Sequence, residues 1–242
     1  MLDSSTPIDA EAGADTLVTC PATGGRADQP TGLRERKKQQ TRARIIEVAL
    51  DLCDTQGFEA TTVEQIANTA DVSPRTVNRY FETKEDIVLG PTEDFGRAVA
   101  EALREQSGVE NDLHALCNAF LYMIDLAASG HDTISFHQFQ QMQRIVRSSP
   151  AVNARALEYG ESKTAAISSA LAERTGNTPD ALPVRLVVAT WQMLCHVAMA
   201  DSEEVIVNSD PRTAARAART AVLTAFTELR RICDTPLRTE ST

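Results

Sequence analysis

The chain has 242 residues, 42% of them hydrophobic and 24% charged, which is the balance of an ordinary folded protein and enough length for two cores. A formal net charge of −10 excludes a uniformly basic nucleic-acid binder, yet Arg34–Arg44 holds six basic residues against the single acid Glu35. The scattered cysteines Cys20, Cys53, Cys117, Cys195 and Cys233 exclude a disulfide framework or zinc spacing and fit a reducing cytoplasm, the acidic start excludes a secretory leader, and no apolar run is expected to reach the roughly 18 residues of a membrane span.

Residues 1–32 are rich in Thr, Ala, Gly, Asp and Pro without periodicity, and read as a disordered acidic tail. From Leu33 the pattern turns helical and alternating strand signals are absent. A first helix is expected over 33–56, with Ile45, Ile46, Ala49, Leu52 and Cys53 on its apolar face and Gly57 as its stop. Thr62-x-x-Gln65 fits a capping box for a second helix, and Ser73-Pro74 an N-cap and first turn for a short third helix ending near Tyr80. Thr83 caps a fourth, which Gly90-Pro91 should interrupt. Helices then follow near 92–106, 111–128, 132–148, 151–175, 180–200 and 211–233.

The stretch Thr62–Phe81 has the build of a helix-turn-helix: two short helices, a turn at Ala70-Asp71-Val72, and Ile66, Val72 and Val77 to fill the angle between them. The second helix presents Arg75, Thr76, Asn78 and Arg79 without an acid of its own. Such a face can enter a major groove and offer donors to base edges.

With its basic arm, Gly57-Phe58, Thr61-Thr62-Val63, Ile66-Ala67, Val72-Ser73, Tyr80-Phe81 and Lys84-Glu85, the stretch Arg34–Leu89 resembles the TetR family of bacterial regulators. Asp71 stands where many members have Gly, and Asp tolerates a left-handed turn. The resemblance implies an all-α fold: an N-terminal three-helix helix-turn-helix DNA-binding domain over 33–95 and a larger helical effector-binding and dimerisation domain over 96–236, with 237–242 as a tail. It implies that Thr62, Tyr80 and Lys84 contact phosphate, and that Ser73, Arg75, Thr76 and Asn78 face bases or nearby phosphates; Arg79, on the same polar face, is expected to meet DNA as well. Arg42 and Arg44, with Lys37 and Lys38, would add an arm. Tyr80 could instead be core, Lys84 a solvated helix start, and the arm an ordinary solvated charge run.

For the second domain the resemblance implies a ligand pocket and a two-fold bundle of the last two helices. Leu186, Val187, Thr190, Leu194, Val197 and Ala198 make one stripe there, and the alanine-rich run Ala214–Leu229 another. Candidate pocket walls are Phe120, Met123, Ile124, Phe136, Phe139, Met142 and Trp191, with plain core packing as the alternative for each. The segment Met142–Gly176 resembles members grouped with the mycofactocin-system regulator, which implies an acyl-CoA-like ligand; Ser162-Lys163 stand where aromatic residues are expected. Arg144, Arg147 and Arg155 are the nearest cations for such a carrier.

His114 with Cys117, and Cys195-His196, have no convergent second pair, so neither a metal nor catalysis is expected, nor a cofactor. The expectation is a cytoplasmic homodimeric repressor, without membrane contact, released from a palindromic operator by a small apolar ligand. An activator, a ligand-independent regulator, or a helical enzyme or adaptor are the alternatives.

Overall fold

The computed structural model describes residues 30–106, 111–129, 135–158, 160–200 and 202–233, with the side chains at 30, 31 and 160–163 outside the description. Contacts divide the chain into Met1–Lys37 and Lys38–Thr242. Of the first unit, the described part is the opening of helix α1 (Pro30–Gln56), exposed over Leu33–Lys37. The expected tails fall almost wholly outside the described residues, and α1 starts at Pro30, slightly before the expected Leu33. Proline suits a first helical turn, where its missing N–H is not needed.

In the second unit, among the described residues, every regular element is helical. Gly57 takes φ +90 after α1, the left-handed conformation that ends a helix cheaply only at glycine. Helix α2 (Val63–Thr69) carries the complete Thr62/Gln65 capping box, and α3 (Pro74–Tyr80) starts at Ser73 with Pro74 in its first turn. Between them Asp71 takes φ 57, the left-handed turn read from its side chain. Helix α4 (Lys84–Val88) has a second box, Thr83 with Asp86. Leu89 then separates it from α5 (Gly90–Glu105), with Pro91 in the first turn of the new helix. A Cβ at Gly90 would lie 2.5 Å from Ile46 Cδ1, so the α5 backbone meets α1 directly.

The remaining helices are α6 (Asp112–Ser129), α7 (Phe136–Ser148), α8 (Pro150–Glu158), α9 (Gly160–Thr175), α10 (Leu182–Ala200), α11 (Glu203–Asn208) and α12 (Pro211–Cys233). One core gathers Ile45, Ile46, Leu50, Ile66, Val77 and Ile87 from α1 to α4, and takes in Met142, Ile145 and Val152 from α7 and α8. A larger one holds Leu103, Leu116, Leu171, Trp191, Val222 and Phe226. A third joins Ile124, Phe136, Ile206, Ala214 and Ala218.

The expected helix over 151–175 is helical on both sides of residue 159, and its ends serve different cores: Val152 packs with α1–α4, whereas Ile167, Ala170 and Leu171 pack with α5 and α6. Periodicity reports that a face is buried and not which neighbour buries it. Helix α11 was not expected; six residues are too few to show a period, though Glu203 and Glu204 mark its first turn. Against expectation, α10 is long and apolar enough, by length and composition, to cross a membrane, with a mean hydropathy of 1.3 over its most apolar window. Only 28% of that window is buried within the chain. The core helix of a folded protein meets the same test, and Leu182, Leu186, Met193 and Val197 leave an apolar face of α10 uncovered.

Candidate DNA-reading helix and effector cavity

Helix α3 is held from beneath. Val77 is 1% exposed and sits with Ile66, Ala67 and Phe81 in the α1–α4 core. Ser73 Oγ accepts from the Thr76 backbone N–H at 3.1 Å, and the two hydroxyls lie 2.9 Å apart, which fixes the helix start. The buried side is therefore rigid, and the opposite side carries Arg75, Asn78 and Arg79, all exposed. Among the described residues no hydrogen bond or ion pair engages the side chain of Arg75 or of Asn78. Arg79 lies over the Tyr80 ring at 5.2 Å, and Tyr80, half-buried, packs against Phe81 and the core. Thr62 is exposed, its oxygen accepting from Gln65 N–H at 3.2 Å, and its hydroxyl hydrogen is available to a phosphate.

Two expected DNA contacts are placed differently. Arg42 reaches Asp94 Oδ2 at 2.6 Å and Glu93 Oε2 at 2.8 Å and lies over Phe81 at 5.2 Å, with 14% of its side chain exposed. Two carboxylates neutralise it, so it joins α1 to α5 and is not a loose arm. The Lys84 ammonium donates to the carbonyls of Phe58 and Thr61, both at 2.7 Å, and sits 3.9 Å over the Phe58 ring. It ties α4 to the loop before α2, a role visible only once the loop has folded back. Arg44 is exposed and pairs with Glu47 at 2.9 Å, one helical turn away. A pair this exposed contributes little and is easily exchanged for a phosphate.

The cavity lies among α5, α6, α7, α8, α9, α10, α11 and α12. Its larger lobe has a volume of about 590 Å³ and its smaller lobe about 240 Å³. Thr92, Phe95, Phe120, Phe139, Cys195 and Met199 line both. Of the expected walls, Trp191 lines the larger lobe and Ile124 and Phe136 the smaller, while Phe120 and Phe139 line both. Met123 and Met142 do not line it. Met123 is 4% exposed within the large core, and Met142, 2% exposed, belongs to the α1–α4 core and accepts the Thr92 hydroxyl on sulfur at 3.2 Å. Both stand beside wall residues on the same helices, Met123 between Phe120 and Ile124 and Met142 between Phe139 and Gln143, a distinction of a fraction of a turn. Thr92, Phe95, Cys195 and Met199 were missed; nothing in the sequence separates a wall from a core position on the same apolar face.

Aromatic rings join edge to face along the wall: Phe95 and Phe120 with centroids 5.2 Å apart, Phe120 and Trp191 at 5.1 Å. Burial pushes the Cys195 thiol up, so it lines the cavity as a neutral group; the Cys117 thiol is pushed up to about 11 by the same cause. His114 packs its ring against Phe226 at 4.8 Å.

The sequence profile of bacterial regulatory proteins, tetR family, matches residues 45–90, which spans the end of the long first helix through the start of α5. The chain is also 33% identical over 179 residues to the HTH-type transcriptional regulator TcmR of Streptomyces glaucescens, covering 73% of this chain and 79% of that protein. The chain belongs to the tetR family. It is a DNA-binding transcription regulator with a helix-turn-helix, and not an enzyme. Members of the tetR family bind operator DNA and small-molecule effectors and act as dimers. Solved tetR-family structures similar to this chain include a transcriptional regulator from Streptomyces coelicolor, 20% identical, with a TM-score of 0.43 over 79% of this chain and 99% of that one. Another is Thermus thermophilus FadR in complex with lauroyl-CoA, 17% identical, with a TM-score of 0.45 over 83% of this chain and 100% of that one.

Proposed function

We propose that this tetR-family chain is a homodimeric repressor that grips an operator through α3 and releases it when an apolar effector enters the cavity of α5, α6 and α10. The observation that carries the reading is that α5 and α7 each have one face in the cavity and another on the DNA-binding core. On α5, Thr92 and Phe95 line the cavity, while Glu93 holds Arg42 of α1 together with Asp94, which also lines the smaller lobe. On α7, Phe139 and Gln143 line the cavity, while Gln141 donates to Asp51 at 2.8 Å and Arg144 takes Asp54 through two bonds of 2.9 and 2.6 Å. A molecule that displaces either helix strains bonds to the helix that supports α3, which makes ligand and DNA compete for one conformation.

The dimer is supported by the uncovered α10 face and Leu223 of α12. The alanine stripe contributes less than its sequence suggests, since Ala214, Ala215, Ala218 and Val222 are buried inside the chain. For the effector, the apolar walls support an apolar body. The coenzyme A carrier finds less support, because the three arginines considered for it are engaged: Arg144 with Asp54, Arg147 with Glu203 and Arg155 with Asp86. Tyr159 and the side chains of Ser162 and Lys163, on which that comparison rested, lie outside the described residues.

The test uses Trp191, the one tryptophan of the chain, 4% exposed in the cavity wall. Acyl-CoAs, fatty acids and uncharged aromatic compounds are titrated while its fluorescence is followed. Every saturable binder is then added to the operator complex. The expected result is that a binder lowers operator affinity by about tenfold or more, and that operator lowers affinity for the binder by the same factor. Saturable binding with no change in operator affinity contradicts the proposal.

A further inference from the structure

We propose that the effector is an aromatic amphiphile without a fixed negative charge, an inference that rests on the effector reading above and names the chemistry of that same cavity. Shape and charge lead to it separately. The wall is a run of rings, Phe95, Phe120 and Trp191, each edge to face with the next. Edge-to-face packing leaves ring faces and edges exposed to the space they enclose, where another aromatic system extends the same geometry. A wall built from Leu and Ile alone would offer no such preference.

Charge narrows the class. Among the described residues that line the two lobes there is no Lys and no Arg; the charged ones are the carboxylates of Glu203 and Asp94. Asp94 is held by Arg42 and Arg97. Glu203 faces Arg147 across 3.5 Å, longer than either pair that holds Asp94, with about half of each side chain exposed. The remaining polar walls are neutral, among them the amides of Gln143 and Asn153, which make no side-chain hydrogen bond to other described residues. They offer donors and acceptors to hydroxyl, carbonyl or ammonium groups alike. Cys195, kept a thiol by burial, adds no charge. A carboxylate or phosphate entering this space leaves water without gaining a cation, and meets acids already present; desolvation of an unpaired ion is the dominant cost there. A neutral ligand avoids that cost, and a cation recovers part of it at Glu203 and on the ring faces.

The experiment titrates the full-length protein with three ligands that share one ring system: 9-anthracenemethanol, 9-(aminomethyl)anthracene and 9-anthracenecarboxylate. All three titrations are run in one buffer at pH 8. Binding is read as energy transfer from Trp191 to anthracene. The alcohol and the amine are expected to bind at least about tenfold more tightly than the carboxylate, a difference of about 1.4 kcal/mol. Glu203→Gln is expected to weaken the amine and strengthen the carboxylate while leaving the alcohol in place; a merely structural change would move all three together. Lys163→Met, at a position whose side chain lies outside the described residues, is expected to preserve the order. A carboxylate that binds as well as the alcohol, or an order reversed by Lys163→Met, overturns the inference on charge. If that carboxylate also releases operator, effector control of DNA binding stands while the ligand class falls. No saturable binding by any of the three overturns the aromatic class, and the wider titration of acyl-CoAs and fatty acids then decides the effector reading by itself.

Discussion

Replacing Leu186 and Met193 together by glutamate is expected to leave a folded monomer that no longer binds operator tightly. Leu182, Leu186, Met193 and Val197 are 65%, 57%, 63% and 54% exposed. Their spacing along α10 puts them on one side of the helix, and the other side buries Val184, Val188, Trp191 and Leu194. Covering each large apolar side chain is worth about 1.5–3 kcal/mol, and a two-fold partner would cover the set twice. Glutamate removes that gain and, in a two-fold interface, brings like charges together. Because these positions are exposed in the single chain, its own core should survive the change. The effect on DNA then follows from geometry. Two half-sites bound by one dimer gain about 10²–10⁴ over a single half-site, and a monomer forfeits all of it. Light scattering gives the mass, circular dichroism the fold, and fluorescence anisotropy the operator affinity. A variant that remains a dimer would move the interface to α12 or elsewhere.

The second large effect is expected from Arg75→Ala combined with Asn78→Ala. Both side chains stand exposed on α3 while Val77 and the Ser73 cap hold the helix in place, so their removal should not disturb the fold. Each base contact of this kind is worth about 1–3 kcal/mol of discrimination. The pair should therefore lower operator affinity by about 30-fold or more, with binding to scrambled DNA falling far less. Unchanged discrimination in the double variant would remove these residues from base reading, whatever happened to total affinity. By contrast, Arg42→Ala should act chiefly on stability and on coupling to the cavity, since its partners are Glu93 and Asp94 of α5.

What could be read from residues alone follows from the range of the physics. Capping is local: Thr62/Gln65, Ser73-Pro74 and Thr83 each act within a few positions, and all three appear where sequence put them. The same holds for Gly57 and Asp71, whose left-handed φ values are properties of single residues in turns. The polar face of α3 was legible because the helix is short and one side of it is plainly apolar. Lys84 and Arg42 were not legible in this way. Their partners, Phe58, Thr61, Glu93 and Asp94, lie 23 to 52 positions away, and nothing local says that a cation will turn inward. The cavity shows the same limit. Phe120, Phe139 and Trp191 were singled out as large rings on apolar faces, but the ring of Phe95 was passed over, and it borders the empty space, like Thr92 and Met199, only because α5, α6, α7 and α10 meet there. Met123 and Met142 show the converse error, since an adaptable side chain on an apolar face is equally suited to core and to wall.

Sequence reading by α3 is tested most directly by what the full-length protein selects from a pool of random-sequence duplexes. If α3 of each subunit reads a major groove, repeated selection converges on an inverted repeat whose half-site centres are about 34–36 Å apart, or a multiple of that turn. The selected duplex should then bind at least about 10³-fold more tightly than its scrambled counterpart at physiological salt, with a steep loss of affinity as salt rises. Selection that converges on no sequence, or equal affinity for selected and scrambled duplexes at every salt concentration, would contradict sequence reading by α3.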